Sequence, residues 1–174
     1  MLSNLDRDDL ARLGKFAGIV LFLASFALPG VTTGYAMSRA DYLFTSNAHY
    51  GVACAAWTLY GTAGLIGSLF GSTPPDAGGF FFAVSGWITP LVAVFGIFID
   101  SKKAKRRVAK ALPFLLVAPL LFFASPESGW GPGPFRPLIG HYVWTLGCLL
   151  IFTPQYASML GLANKESDET PQED

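Results

Sequence analysis

The sequence predicts an all-α fold, an integral membrane bundle of four transmembrane helices with one further Gly-rich helix that is packed on the bundle or re-entrant. Charged residues make up 14% of the 174 positions, against roughly a quarter in soluble domains. The charges are also crowded together. No Asp, Glu, Lys or Arg occurs in residues 16–38, 42–75, 77–99, 111–126 and 137–164. These stretches are continuously apolar rather than alternating, which is typical of membrane helices and not of barrel strands.

This composition excludes a soluble enzyme, a nucleic-acid-binding protein and a disordered chain. The two cysteines, Cys54 and Cys148, lie inside apolar stretches, so they are interpreted as small buried apolar residues without a disulfide. Together with His49 and His141 they form no spacing typical of a zinc site. We therefore expect neither a metal nor a cofactor.

The positions of the helices follow from the length needed to cross a bilayer, about 20 apolar residues for ~30 Å of hydrocarbon. This predicts one transmembrane domain over residues 1–164 with spans at about 14–34, 79–100, 108–126 and 138–160. The acidic leader is unlike a signal peptide, so the first span is expected to be retained. The end of the chain, 165–174 (KESDETPQED), is predicted to be a disordered acidic tail in the cytoplasm. Five prolines are expected to bend or end their helices: Pro29, Pro90, Pro113, Pro119 and Pro154.

Segment 51–71 has the length of a span but is diluted by glycine and hydroxyl residues. Basic residues near span ends stay cytoplasmic, so their distribution discriminates between topologies. If the segment does not cross, both termini are cytoplasmic, with ten basic residues on the cytoplasmic side and two outside. Five spans would place eight basic residues on the cytoplasmic side and four outside. Four spans are favoured, and five remain the alternative. The cytoplasmic cluster consists of Lys102, Lys103, Lys105, Arg106, Arg107 and Lys110.

The glycines of 51–71 recur at intervals of three or four residues, which places them on one helix face. Such a face permits close approach of another helix backbone, so it is predicted to pack a helix rather than to bind a ligand. The glycines concerned are Gly61, Gly64, Gly67 and Gly71.

Polar side chains concentrate on the predicted external face. They define a candidate outer polar patch, Arg39, Asp41, His49, Arg136 and His141, which is interpreted either as solvated loops or as one outward-facing pocket. The loop 125–137 also carries Trp130 and Phe135, which are either interfacial anchors or aromatic residues that contact a partner.

Lys15, Asp100 and Lys110 lie at the ends of predicted spans, and no Asp, Glu, Lys or Arg occurs at membrane depth, which argues against ion-coupled transport. No Gly-x-Ser-x-Gly or comparable nucleophile motif occurs, so no catalytic residue is assigned. Asp100 is expected to pair with Lys103 at the cytoplasmic end of its span.

Three short motifs occur in order: Ser25-Phe26-Ala27-Leu28-Pro29, Trp87-Ile88-Thr89-Pro90 and Gly140-His141-Tyr142-Val143-Trp144. In these the chain resembles a group of small, uncharacterised bacterial inner-membrane proteins with Ser-x-x-Leu-Pro, Trp-x-Asn-Pro and Gly-Tyr-Tyr-x-Trp elements. Thr89 stands in place of that group's Asn, and His141 in place of its Tyr. The resemblance implies four helices, a multi-pass inner-membrane location and no known activity.

Three functions follow as hypotheses. The first is a non-enzymatic accessory or interaction subunit that contacts the lipid bilayer and another membrane protein or itself, and no nucleic acid. The second is a membrane immunity protein against a pore-forming toxin. The third is a lipid-modifying enzyme or small-molecule carrier with an outward-facing polar pocket.

Overall fold

The computed structural model describes residues 6–33, 48–71, 77–124 and 135–162. Most of these residues are helical, so the predicted all-α class fits. The helices are α1 (Arg7–Ser25), α2 (Gly51–Leu69), α3 (Ala77–Leu91, continued by a π-helical segment Val92–Phe98), α4 (Lys102–Leu115), α5 (Val117–Ala124), α6 (Ile139–Ile151) and α7 (Thr153–Met159). The strands are β1 (Pro29–Thr33), β2 (Ala48–Tyr50) and β3 (Phe135–Pro137).

The hydrophobic core lies between α1, α3, α4 and α6. Its buried residues are Phe22, Ile88, Val92, Ala109, Leu112, Leu116, Cys148, Ile151 and Phe152. No residue of α2 belongs to this cluster. The described helices therefore form a four-membered bundle (α1, α3, α4–α5 and α6–α7), with α2 packed on its outside.

Helices α1 and α6 approach each other closely because each carries a glycine at the contact. A Cβ on Gly18 would lie 2.5 Å from the backbone nitrogen of Ile151, and one on Gly147 would lie 2.7 Å from that of Phe22. Later residues of α6 face earlier residues of α1, so the two helices are antiparallel.

The direction of α2 follows from its contacts with α3. Gly86 of α3 lies against Thr58, and Gly61 of α2 lies against Phe82, so the two helices are antiparallel. Further along α3, Gly96 lies against Ile151 at the end of α6. Since α3 and α6 thus run the same way, α2 starts beside the strands and runs back along α3 towards Ala77, the start of that helix.

Helix α1 differs from the predicted span 14–34. It begins at Arg7 and ends at Ser25, and Pro29 then opens strand β1. Proline cannot continue a helix and biases the residue before it towards extended backbone. The β-branched residues Val31, Thr32 and Thr33 favour a strand in its place.

The three strands form a small antiparallel sheet of order β2-β1-β3 that the sequence did not predict. Val31 is opposite His49 on one side and Pro137 on the other. Thr32 is opposite Arg136. The sheet therefore brings together three distant segments: the end of α1, the start of α2 and the start of α6.

Proline also explains the interruptions in the other helices. In α3 the segment after Pro90 is π-helical, and Ile99 N–H donates to the Val94 carbonyl five residues earlier at 2.7 Å. Pro154 cannot donate to the Leu150 carbonyl, which instead accepts from the Thr153 hydroxyl at 2.6 Å, and α6 gives way to α7.

The predicted span 108–126 is helical but begins earlier, since α4 starts at Lys102. Ser101 caps it by accepting the Ala104 N–H at 3.3 Å. The helix is interrupted at Leu116, between α4 and α5. This position lies four residues after Leu112 and three residues before Pro119. Pro113, in contrast, lies inside α4 without ending it.

Large apolar side chains line the outer face of the bundle as well as its core. On α1 the exposed residues Phe16, Val20 and Leu23 recur at helical spacing. Similar exposed stripes occur on α3 (Phe80, Trp87, Val94, Phe98) and on α6 (Ile139, Tyr142, Leu146). Within the described ranges, one helix has the length and apolar composition to cross a membrane, Gly78–Phe98, with 21 residues and a mean hydropathy of 2.0.

Candidate functional site

A cavity of about 110 Å³ lies beside the sheet, where the bundle, α2 and the strands meet. Its walls are predominantly apolar and come from most of the helices and from strands β1 and β2. The side chains that matter for its chemistry are six aromatic rings (Phe26, Trp57, Phe82, Phe122, Phe123, Trp144), two imidazoles (His49, His141), four hydroxyls (Ser25, Thr58, Ser85, Thr89) and one thiol (Cys54).

His49 reaches the cavity from strand β2. Its ring lies 4.6 Å from that of Trp57, in the second turn of α2, and its carbonyl accepts from the Cys54 thiol at 3.5 Å. Gly51, the first residue after β2, packs against the Ser25 carbonyl, a contact too close for any side chain. The glycine therefore lets β2 and the start of α2 approach the end of α1, which holds His49 at the cavity wall.

His141 enters the cavity from the first turn of α6. Its ring contacts Phe123 edge-on at 5.1 Å and lies 5.6 Å from Trp144. The preceding Gly140 has no room for a Cβ, which would lie 2.7 Å from the Pro29 carbonyl oxygen. This close approach fixes the start of α6 against the turn that ends α1.

Three of the hydroxyls are already engaged as donors. Ser25 donates to the Phe22 carbonyl at 2.6 Å, Thr58 to Ala55 at 3.0 Å and Ser85 to Phe81 at 2.7 Å. A hydroxyl has one hydrogen and two lone pairs, so these three groups offer acceptors to a bound molecule.

The imidazoles differ from the hydroxyls. Within the described part of the chain, neither His49 nor His141 forms a side-chain hydrogen bond. Tyr156 Oη is the one side-chain polar atom there that is fully shielded from solvent and lacks a hydrogen bond, so the histidine nitrogens are not fully shielded. The ring nitrogens of the two histidines are therefore unpaired but accessible. A neutral imidazole offers one donor and one acceptor, so the cavity contains polar groups that can bind a ligand.

Two of the five predicted patch residues, His49 and His141, line this cavity. Arg136 lies in β3 opposite Thr32, two strands away from β2, and Phe135 precedes it. Arg39, Asp41 and Trp130 lie outside the described residues.

The four glycines of α2 have different surroundings. Gly61 is buried against Phe82 of α3, whereas Gly64 is exposed. A Cβ on Gly67 would meet nothing within 4 Å, and one on Gly71, two residues beyond α2, would meet only the backbone at the end of α2. Close glycine contacts also occur within the bundle, at Gly18, Gly96 and Gly147.

The basic cluster lies on α4, at the end of the bundle away from the sheet. Lys102, Lys103, Arg106, Arg107 and Lys110 are exposed, but Lys105 is only 8% exposed. Its ammonium lies 3.4 Å from Asp100 Oδ1. The partner of Asp100 is thus Lys105, not Lys103 as expected, because Lys105 lies on the inward face with Ala109 and Leu112.

Several cavity residues were not assigned to a site from the sequence. Cys54 and Thr58 are four residues apart on α2, and Ser85 and Thr89 are four apart on α3. Positions four residues apart share a helix face, so two small polar pairs inside apolar helices were a usable signal.

Among the described residues, no group of three or more His, Cys, Asp and Glu side chains could hold a metal ion. The described lining also contains no Asp, Glu, Lys or Arg. The arrangement is therefore suited to binding an uncharged molecule.

The chain matches no protein-family model, no curated protein and no solved structure. The resemblance to the small inner-membrane proteins stays a prediction.

Proposed function

We propose that this chain is a multi-pass helical membrane protein that binds a small, largely apolar molecule in the cavity beside its sheet. The observation that carries the proposal is that His49 and His141, 92 residues apart in the chain, line one aromatic cavity. This is the carrier form of the third hypothesis. Concave, mainly apolar sites with a few convergent polar groups are the usual form of small-molecule sites.

The exposed apolar stripes support a membrane location. A protein in water rarely exposes contiguous large apolar patches, yet α1, α3 and α6 each present one on the side away from the core. A bilayer accommodates such faces because lipid chains are themselves apolar. The apolar helix Gly78–Phe98 agrees with this location.

The arrangement of α2 favours four spans over five. Helix α2 starts beside the sheet, where α1 ends and α6 begins, and runs back along α3 towards Ala77. It therefore leads away from the end of the bundle that carries the basic cluster. With that cluster in the cytoplasm, the sheet and the cavity lie towards the external face and both termini are cytoplasmic. In a bacterium this is the inner membrane, as the resemblance implies.

The test compares two neighbouring alanines of α2. Ala55 lines the cavity, and Ala56 is exposed and does not. Ala55→Leu should fill the cavity and abolish retention of a small molecule on the protein purified in mild detergent, measured by native mass spectrometry and by extraction. Ala56→Leu should retain it. Equal retention by both variants, or none by the unmodified protein, would contradict the proposal.

The accessory-subunit function has support of its own in the outer face of α2. Gly64 and Gly67 are exposed there, and exposed glycines weaken a helix unless another backbone packs on them. A partner helix on this face would explain them. Gly67→Leu should then remove a protein that copurifies from the native membrane, whereas Ala111→Leu on the exposed side of α4 should not.

A further inference from the structure

We infer that the cavity binds one uncharged six-membered ring bearing a hydroxyl or carbonyl oxygen, the class of phenols, hydroquinones and quinones. The inference rests on the proposed function and specifies its ligand. It depends on the size of the cavity, the character of its walls and the two unpaired imidazoles.

The size of the cavity matches a single ring. Its volume is about 110 Å³. An apolar cavity of about 150 Å³ in another protein accepts benzene, so one six-membered ring is near the limit of what this cavity holds. A larger ring system would have to displace wall residues.

The walls favour a planar aromatic ligand. Phe122 lies 5.0 Å from Phe82, and Phe123 lies 5.1 Å from His141, so ring surfaces already surround the space. Offset and edge-to-face contacts between rings contribute beyond simple apolar burial.

The unpaired imidazoles indicate that the ligand carries oxygen. A saturated lipid chain or a hydrocarbon ring would cover the nitrogens of His49 and His141 and leave them without a hydrogen bond, which is unfavourable for buried polar groups. A phenolic hydroxyl or a ring carbonyl would satisfy them. The acceptor oxygens of Ser25, Thr58 and Ser85 can receive a ligand hydroxyl in addition.

A cation is the competing ligand, because aromatic rings also attract quaternary ammonium groups. A cation leaving water is stabilised chiefly by a carboxylate, and the described lining contains none. It would also gain nothing from the donors of the imidazoles. The neutral oxygenated ring uses every feature of the cavity.

The experiment uses para-cresol and para-xylene, which have nearly the same shape and differ in a hydroxyl group against a methyl group. Tetramethylammonium represents the cation. Binding of each to the full-length protein in lipid nanodiscs is measured by equilibrium dialysis, with Ala55→Leu as the background for uptake by lipid.

Para-cresol should bind roughly five- to tenfold more tightly than para-xylene, the effect of satisfying a buried polar group. His141→Phe keeps a ring and removes two ring nitrogens, so it should reduce the preference for para-cresol over para-xylene, and the double variant with His49→Phe should reduce it further. His49→Phe provides a second test if that variant does not fold.

Each other outcome overturns the inference in a recognisable way. Equal binding of para-cresol and para-xylene above background would leave the proposed function standing and refute the oxygen requirement. Preferential binding of tetramethylammonium would identify a cation site instead. Binding of none of the three above the Ala55→Leu background would refute the inference and, together with the absence of a retained molecule, the proposed function.

Discussion

Gly147 of α6 lies directly on Gly18 of α1, and a Cβ on Gly147 would be only 3.1 Å from the Gly18 carbonyl oxygen. The contact is backbone to backbone. It sets the spacing of α1 and α6 and therefore the position of His141 at the start of α6.

We expect Gly147→Ala to destabilise the protein. The new methyl group would lie 2.7 Å from the Phe22 nitrogen, so the two helices must move apart, at a cost of about 1–3 kcal/mol. The midpoint of thermal unfolding in detergent measures this. Gly67→Ala is the matched control, because a Cβ there meets nothing within 4 Å. Equal loss of stability in both variants would show that the close contact is not responsible.

Lys105 provides a second prediction, since its stem is buried and its charge reaches Asp100. The Asp100 side chain is fully exposed, so the ion pair is expected to add little, and Asp100→Asn should leave the unfolding midpoint unchanged. Lys105→Ala should cost about 1–2 kcal/mol through lost packing, whereas Lys105→Met should restore most of it. If Lys105→Met were as destabilising as Lys105→Ala, the charge rather than the stem would be the stabilising element.

The helical content and the proline interruptions could be predicted from local sequence. Continuous apolar runs predict helices, and Pro29 and Pro154 stop them for reasons internal to the chain. The sheet could not be predicted in this way. Its strands have three to five residues and pair across intervals that depend on the packing of α1 against α6.

The candidate site was predicted in part for the same reason. His49 and His141 were noticeable as polar residues beside apolar runs. The spacing of Cys54 and Thr58, and of Ser85 and Thr89, indicates that each pair shares a helix face. Local spacing does not specify which faces of two helices meet, so it could not show that both pairs line one cavity.

The sheet places β2 and β3 on opposite edges of the same strand, β1, which leads to a prediction about topology. With four spans the segment between α1 and α2 is external, and with five spans it is cytoplasmic. A periplasm-active reporter such as alkaline phosphatase, fused after Asn47, should therefore be active, and the same reporter fused after Asp100 should be inactive. A cytoplasm-sensing reporter should give the reverse pattern. A silent phosphatase at Asn47 with an active cytoplasmic reporter there would establish that α2 crosses and that the chain has five spans.

The two cysteines allow the cavity to be probed without introducing any new residue. Cys54 lines the cavity and is partly exposed, whereas Cys148 is 0% exposed in the core between the helices. N-ethylmaleimide should therefore add one label per folded chain, seen as a single mass increment, and two labels after denaturation in SDS. Cys54→Ser should remove the label from the folded protein, and Cys148→Ser should keep it.

Ala55→Leu, by filling the space beside the thiol, should slow the labelling at least severalfold, while Ala56→Leu should not. Labelling of Cys148 in the folded protein would mean that the core opens on the timescale of the reaction, and unchanged labelling in Ala55→Leu would mean that the reagent reaches Cys54 by a route other than the cavity.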